Sequence, residues 1–274
     1  MLSTQTQLLR LSQGQLNVLE RCPRQFQHTY LEQLHSPLDP EHEERQALGS
    51  RFHLLMQQRE MGLPIDTFLQ ADPILQSWMS AFACAAPEIL TTTLKSDFRE
   101  SEHYRTIQVQ DYLLTVIYDL LIADNQIAQI FDWKTYPKLP NKRKLEQNWQ
   151  TRLYLYVLAE TSNYLPESIS MIYWFVQSEG KPQSIKFSYN TAQHEQTAKR
   201  LNRLLNKLTI WLKSYYQGQQ FPQVPEGNKA CDYCQYTTRC NRTESDSESI
   251  SAANPAYGVD TTLLNLASIQ EVSL

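Results

Sequence analysis

Between Tyr104 and Tyr136 the chain strings together three runs of strand-forming residues, Thr106–Val109, Tyr112–Leu121 and Gln126–Trp133, separated only by Gln110-Asp111 and Ala123-Asp124-Asn125. Connections this short join neighbouring antiparallel strands, so the segment predicts a β-meander. A second strand pair, Ile169–Val176 and Ser184–Tyr189, is predicted around a turn holding Gly180 and Pro182. The flanking segments read as helices. Ser12 and Gln15 fit a capping box ahead of Leu16 and Leu19, and that helix breaks at Cys22-Pro23. Phe26, Tyr30, Leu31 and Leu34 share a face of a second helical stretch, and Ser36–Glu44 is polar enough to be a loop. Helices are expected over about Ala47–Met61 and Pro73–Ala86, and over Leu145–Tyr164 after a basic loop from Tyr136 to Lys144. Thr191 is the expected cap of a long helix to Gln217, striped by Leu201, Leu204, Leu205, Leu208 and Leu212. Mixed strands flanked by helices predict an α/β or α+β core with a helical N-terminal part.

Composition narrows the function. The chain of 274 residues carries 25 basic and 29 acidic side chains, a net charge of −4, so it is not basic all over, although a local cationic groove is compatible with that balance. Glycine occurs seven times and no GxxxxGK[ST] loop is present, which argues against a P-loop motor. No apolar run approaches the ~18 residues needed to span a bilayer. The opening MLSTQTQLLRLSQGQ has neither a basic start nor a continuous apolar stretch, so a cytoplasmic location is expected. After Cys240 the composition turns to Ser, Glu and Asp. Residues 243–274 are therefore expected to form a disordered or loosely docked tail, with Thr261–Leu274 its most apolar part.

The strongest chemical signal lies at the strand ends. Asp119 terminates one run of strand formers, and Asp132 and Lys134 end the next, on the same face by alternation. Two carboxylates and the main-chain carbonyl of Trp133 are hard oxygen donors of the kind Mg²⁺ or Mn²⁺ prefers, and a lysine beside them can orient a water for attack on phosphorus. D-x-K is short, and an Asp–Lys surface pair fits these residues equally well. Trp133, alternating away from that face, is expected in the core.

The phrase Ile130-Phe131-Asp132-Trp133-Lys134-Thr135 resembles the "iiDyKT" strand of PD-(D/E)xK nucleases of the RecB-like exonuclease group. Gly49-Ser50-Arg51-Phe52-His53 is similar to that group's G-x-x-x-H helix, and Gln150 with Tyr154 to its Q-x-x-x-Y. The order His, Asp, Asp-x-Lys, Gln-x-x-x-Tyr is the family order. Ile117 and Leu120 stand where the family often has glycine and arginine. The resemblance implies a restriction-endonuclease-like core, a small mixed sheet flanked by helices, with residues 1–242 as one nuclease domain. It implies that His53 joins Asp119, Asp132 and the Trp133 carbonyl as metal ligands, that Lys134 is catalytic, that Gln150 steadies the lysine or substrate, and that Tyr154 contacts nucleic acid. Glu102 is available as a further acid, but a surface charge is the preferred reading there. The implied activity is metal-dependent hydrolysis of DNA at single-stranded ends, in repair, recombination or CRISPR adaptation, beside a helicase or an integrase.

Five cysteines are present, at 22, 84, 231, 234 and 240. The last three form C-x2-C-x5-C, and Cys22 adds a fourth thiolate only if the fold brings the chain's two ends together. Four thiolates suit zinc or an iron–sulfur cluster. The one-plus-three layout resembles the [4Fe–4S] staple of the CRISPR-associated RecB-like nuclease and of the AddB nuclease domain. Cys84, among alanines, is expected to be a small buried hydrophobe. Lys134, Lys138, Lys142, Arg143 and Lys144 gather beside the predicted catalytic strand and suit a DNA backbone, with Trp133, Tyr136, Trp149 and Tyr154 as aromatics near it. Lys199, Arg203 and Lys207 read as a solvated helix face. Two other classes fit parts of the pattern, a non-catalytic DNA-binding scaffold and a zinc-stapled interaction protein.

Overall fold

The computed structural model describes residues 8–34, 40–90, 96–177 and 181–242. The expected tail, most of the loop before Pro40 and the turn at Gly180 lie outside them. In chain order the elements are β1 (Leu9–Leu11), α1 (Gln13–Arg21), α2 (Pro23–Phe26), a π-helical turn (Gln27–Leu31), α3 (Pro40–Glu60), α4 (Asp66–Ala71), α5 (Pro73–Ala85), α6 (Pro87–Leu90), β2 (Phe98–Val109), β3 (Tyr112–Ala123), β4 (Ala128–Lys134), α7 (Lys142–Gln147), α8 (Trp149–Glu160), β5 (Ile169–Phe175), β6 (Gln183–Ser188) and α9 (Thr191–Tyr216). Contacts divide the chain into two compact units, Met1–Gln13 with Pro37–Leu205 and Gly14–Ser36 with Asn206–Leu274.

The larger unit is a mixed sheet between helices. β2 and β3 form a hairpin about Gln110-Asp111, β3 continues antiparallel into β4, β4 pairs parallel with β5, and β5 pairs antiparallel with β6. β1, which carries no sequence signal beyond three residues, adds parallel to the start of β3. On one face Phe52, Leu55 and Met56 of α3 and Leu75, Met79 and Phe82 of α5 form one apolar cluster with Leu120, Ile122, Phe131, Trp133, Ile172 and Trp174 of the strands. The rings of Trp133 and Trp174 both meet the Phe82 ring edge-on, at 5.4 and 5.2 Å between centroids. α8 packs on β2, β3 and β5, where the Tyr118 hydroxyl donates to the Tyr154 carbonyl at 3.0 Å.

Local chemistry explains where boundaries differ from expectation. α3 starts at Pro40, not after Glu44, because proline has no N–H to leave unsatisfied in a first turn. The helix expected over Leu145–Tyr164 is two helices, because Asn148 is extended (φ −66°, ψ 144°) and its side chain accepts the Gln150 N–H to start α8. At α9 the cap is Asn190, whose Oδ1 accepts from Gln193 N–H at 2.8 Å; Thr191 instead donates to Glu167. Cys84 is exposed and not buried.

In the smaller unit Cys22 follows α1 and is the extended residue before α2, with Pro23 at the helix start. Gln27 accepts the Phe221 N–H at 2.6 Å, and Arg24 Nε donates to the Phe221 carbonyl at 2.7 Å. The Tyr236 ring stacks obliquely on His28, while its hydroxyl meets the Leu34 carbonyl and Thr29 Oγ1. These contacts sew the C-terminal cysteine segment to the helical stretch that follows Cys22.

Gly49 sets how closely α3 lies on the end of β4. A Cβ there would stand 2.9 Å from Thr135 Oγ1. Gly49→Val is expected to lower unfolding free energy in urea by about 1–3 kcal/mol, and adding Thr135→Ala should recover part of that loss. Strictly additive effects in the double-mutant cycle would contradict this packing account.

Candidate active site and cysteine pocket

The strand ladders lapse where the acids sit. β3 and β4 pair from Ala123↔Ala128 to Leu120↔Phe131 and stop one position short of Asp119 and Asp132. On the other edge of β3 the β2 register skips Glu102, which would face Asp119 and has φ +49°. A left-handed glutamate inside a strand costs about 1–2 kcal/mol, and here it accompanies a carboxylate turned off the sheet line. The Trp133 N–H donates to Asp119 Oδ2 at 2.6 Å.

Three elements converge on that gap. α3 brings His53, whose Nδ1 lies 3.4 Å from Asp119 Oδ1. β2 brings Glu102, and ligand atoms of His53, Glu102 and Asp119 all lie within 4.8 Å of one another. The preferred surface-charge reading of Glu102 is thereby corrected, since its carboxylate joins this group. β4 brings Asp132, almost fully buried, with Lys134 Nζ at 2.7 Å from Oδ1 and Gln150 Nε2 donating to Oδ2 at 2.6 Å. Gln150 stands in the first turn of α8, placed by the Asn148 cap. Lys134 lies over the Tyr173 ring, 5.6 Å from its centroid, and Tyr173 is anchored through its hydroxyl to Thr151 at 2.8 Å.

Electrostatics follow from this packing. Burial favours the neutral imidazole, but the carboxylates of Asp119 and Asp132 outweigh it and push the His53 pKa up to about 9. Burial likewise disfavours the Asp119 carboxylate, yet His53, Lys134 and the Trp133 N–H together hold its pKa below the ordinary value. The imidazolium's contribution to stability in the metal-free protein is present below pH 6.5 and lost as pH rises through about 9. A divalent cation at the same carboxylates would compete with that proton, so its binding would release protons. An imidazole and carboxylates suit Mn²⁺ or Mg²⁺, and a half-buried lysine beside them suits the charge of a phosphodiester.

Sequence-expected aromatics fare differently. Trp133 is in the core as predicted, and Trp149 and Tyr154 are also buried, Tyr154 only 1 % exposed and edge-on to Tyr118. Tyr154 supports the sheet from beneath and is not placed to touch nucleic acid, which corrects that expectation. Tyr136 is the partly exposed member of the set. Lys138, Lys142, Arg143 and Lys144 are exposed, the last three in α7 and not in a loop. Lys199 pairs with Glu195 at 3.5 Å on an open helix face.

The other constellation lies in the smaller unit. Cys22, Cys231, Cys234 and Cys240 line one pocket with Gln25, Val224, Tyr236 and Arg242. Cys231 to Cys240 are wound through tight turns, with Cys234 N–H donating to the Cys231 carbonyl at 3.1 Å and Cys240 N–H to the Tyr236 carbonyl at 2.9 Å. Burial raises the Cys234 thiol pKa, with the Tyr236 N–H opposing and the charges of Cys22 and Cys231 adding; Cys240 is raised by burial and by Cys234, with Arg24 opposing. All four sulfurs therefore share one electrostatic neighbourhood that also holds Arg21 and Arg24.

Three comparisons bear on this geometry. A solved structure from Eubacterium rectale, described provisionally as an exonuclease, superposes with a TM-score of 0.51 at 10% identity, covering 91% of this chain and 94% of that one. The crystal structure of SSO0001 aligns with a TM-score of 0.41 at 14% identity, covering 87% and 89%. Comparison with curated proteins gave no match. The family model of the PD-(D/E)XK nuclease superfamily matches residues 10–241, across both units, and the chain belongs to that superfamily.

Proposed function

We propose that this protein is a metal-dependent DNA exonuclease of the RecB-like group, acting on single-stranded ends in the cytoplasm, beside a helicase or a CRISPR integrase. The observation that carries the reading is the convergence of His53, Glu102 and Asp119 next to the Asp132–Lys134 pair. His53, Glu102, Asp119, Asp132 and the Trp133 carbonyl would hold Mg²⁺ or Mn²⁺. When bound, that cation supplies Lewis-acid polarisation of the phosphodiester and a lowered pKa for an attacking water. The Lys134 ammonium, fixed on Asp132 Oδ1, positions the water and offsets negative charge growing on phosphorus. Gln150 fixes the second oxygen of Asp132, so the carboxylate does not swing as charge develops. The exposed cations of α7 follow directly after this strand and suit a DNA backbone.

The four-cysteine pocket is read as the seat of a structural [4Fe–4S] cluster held by Cys22, Cys231, Cys234 and Cys240. Arg21 and Arg24 suit the negative charge of such a group, and the Tyr236 N–H suits a thiolate. The cluster's role would be to close a long loop and tie Cys22 to the C-terminal segment.

Two experiments test these assignments. Asp132→Ala and Lys134→Ala should each reduce cleavage of end-labelled single strands in Mn²⁺ by about 10²-fold or more while circular dichroism stays native; near-wild-type turnover in either sinks the catalytic reading. Anaerobically purified protein should be brown with about four irons per chain, and Cys234→Ala should lose the colour; a colourless, zinc-loaded wild type contradicts the cluster.

A further inference from the structure

Lys134 ends β4, and its ammonium rides on a flexible four-carbon stem, so contacts must fix its direction. The Asp132 carboxylate, at 2.7 Å, is one of them. An aromatic ring is another. β4 and β5 run parallel with Asp132 opposite Tyr173 and Lys134 opposite Phe175, so these side chains share one face of the sheet. The lysine leans back along its strand and puts Nζ over the Tyr173 ring, 5.6 Å from the centroid. The negative face of a ring attracts an ammonium most strongly where water is excluded. Here the Lys134 side chain is 11% exposed and Tyr173 is fully buried.

The ring is held so that it cannot turn away. Thr151 Oγ1 lies 2.7 Å from the Leu145 carbonyl, which only accepts, so the threonine's proton is spent there. The Tyr173 hydroxyl therefore donates to Thr151 Oγ1, at 2.8 Å. The Phe187 ring meets Tyr173 edge-on at 5.9 Å between centroids, and the Phe175 ring flanks it at 6.4 Å. This support reaches α7 twice: Leu145 belongs to that helix, and Lys142 Nζ lies over the Phe187 ring at 5.6 Å. The helix with the exposed cations and the lysine of the site thus rest on one aromatic row.

The two holds on Lys134 differ in kind. A divalent cation at Asp132 would take up much of that carboxylate's charge, whereas the ring has no net charge for the cation to claim. We propose that Tyr173 is a positioning residue, whose ring keeps the Lys134 ammonium aimed at the reacting phosphate. The assignment rests on the nuclease reading and names a further residue on which its turnover depends.

Two readouts test it. By NMR of protein isotope-labelled at lysine, the Lys134 ε-methylene protons should be shifted upfield by the ring, both without metal and in Mg²⁺. The shift should persist in Tyr173→Phe and vanish in Tyr173→Leu. In Mn²⁺, Tyr173→Leu should lower kcat on single-stranded ends about tenfold with KM within about twofold of wild type, and Tyr173→Phe should recover to within about threefold. In a Lys134→Ala background, Tyr173→Leu should change kcat by less than about twofold, because the lysine through which it acts is gone. If Tyr173→Leu does not fold, Tyr173→trifluorophenylalanine keeps the shape, weakens the negative face of the ring, and should lose turnover severalfold relative to Tyr173→Phe. An unshifted Lys134 in wild type, or equal losses from Tyr173→Leu with and without Lys134, overturns the proposal. Equal losses in a protein that cleaves remove the positioning role alone; a ring-shifted lysine in a protein that does not cleave removes the nuclease reading on which the role rests.

Discussion

The site depends on a lapse in backbone pairing. Asp119 sits where the ladder to β4 has ended and the ladder to β2 skips a residue, so its carboxylate can accept the Trp133 N–H that the sheet no longer pairs with β3. That one hydrogen bond ties the first acid to the strand carrying the second acid and the lysine. The cost is a glutamate with φ +49° and two buried carboxylates, Asp119 and Asp132. Neither would persist without the rigid surroundings: α3 held close through Gly49 and the ring cluster of Phe82, Trp133 and Trp174. The two buried carboxylates are offset by the partly exposed Lys134 and His53 beside them, which makes the arrangement compatible with a folded core.

The cysteine pocket obeys a different logic. Its four thiols come from segments some two hundred residues apart in sequence, yet ordinary contacts already bring them together: Gln27 and Arg24 on the Phe221 backbone, and Tyr236 against His28, Thr29 and Leu34. A bound inorganic group would then reinforce a closure that hydrogen bonds and packing have begun. The two clusters differ in their donor chemistry, with carboxylates and an imidazole at the lapse in the sheet and thiols on a loop pinned to a short helical stretch.

Much of the site was legible because its chemistry is local. Asp132 and Lys134 alternate on one strand, Gln150 opens a helix, and Gly49 and His53 are a turn apart. Glu102 was underrated because its run, Arg99 to Arg105, is too charged to resemble a strand. The hairpin itself held the missing signal: folding about Gln110-Asp111 sets residue 102 opposite residue 119. Tyr154 was misplaced for the converse reason, since spacing fixes which helix face it shares with Gln150 but not how deep that face is buried. Likewise no local pattern marks β1, three residues long and defined only by its parallel partner.

The most direct examination of the central claim is anomalous diffraction from crystals grown with Mn²⁺. The account expects the dominant manganese peak at about 2.2 Å from donor atoms of His53, Asp119 and Glu102, with Asp132 and Lys134 alongside. Manganese bound elsewhere, with His53 and Asp119 still paired only to each other, would contradict it.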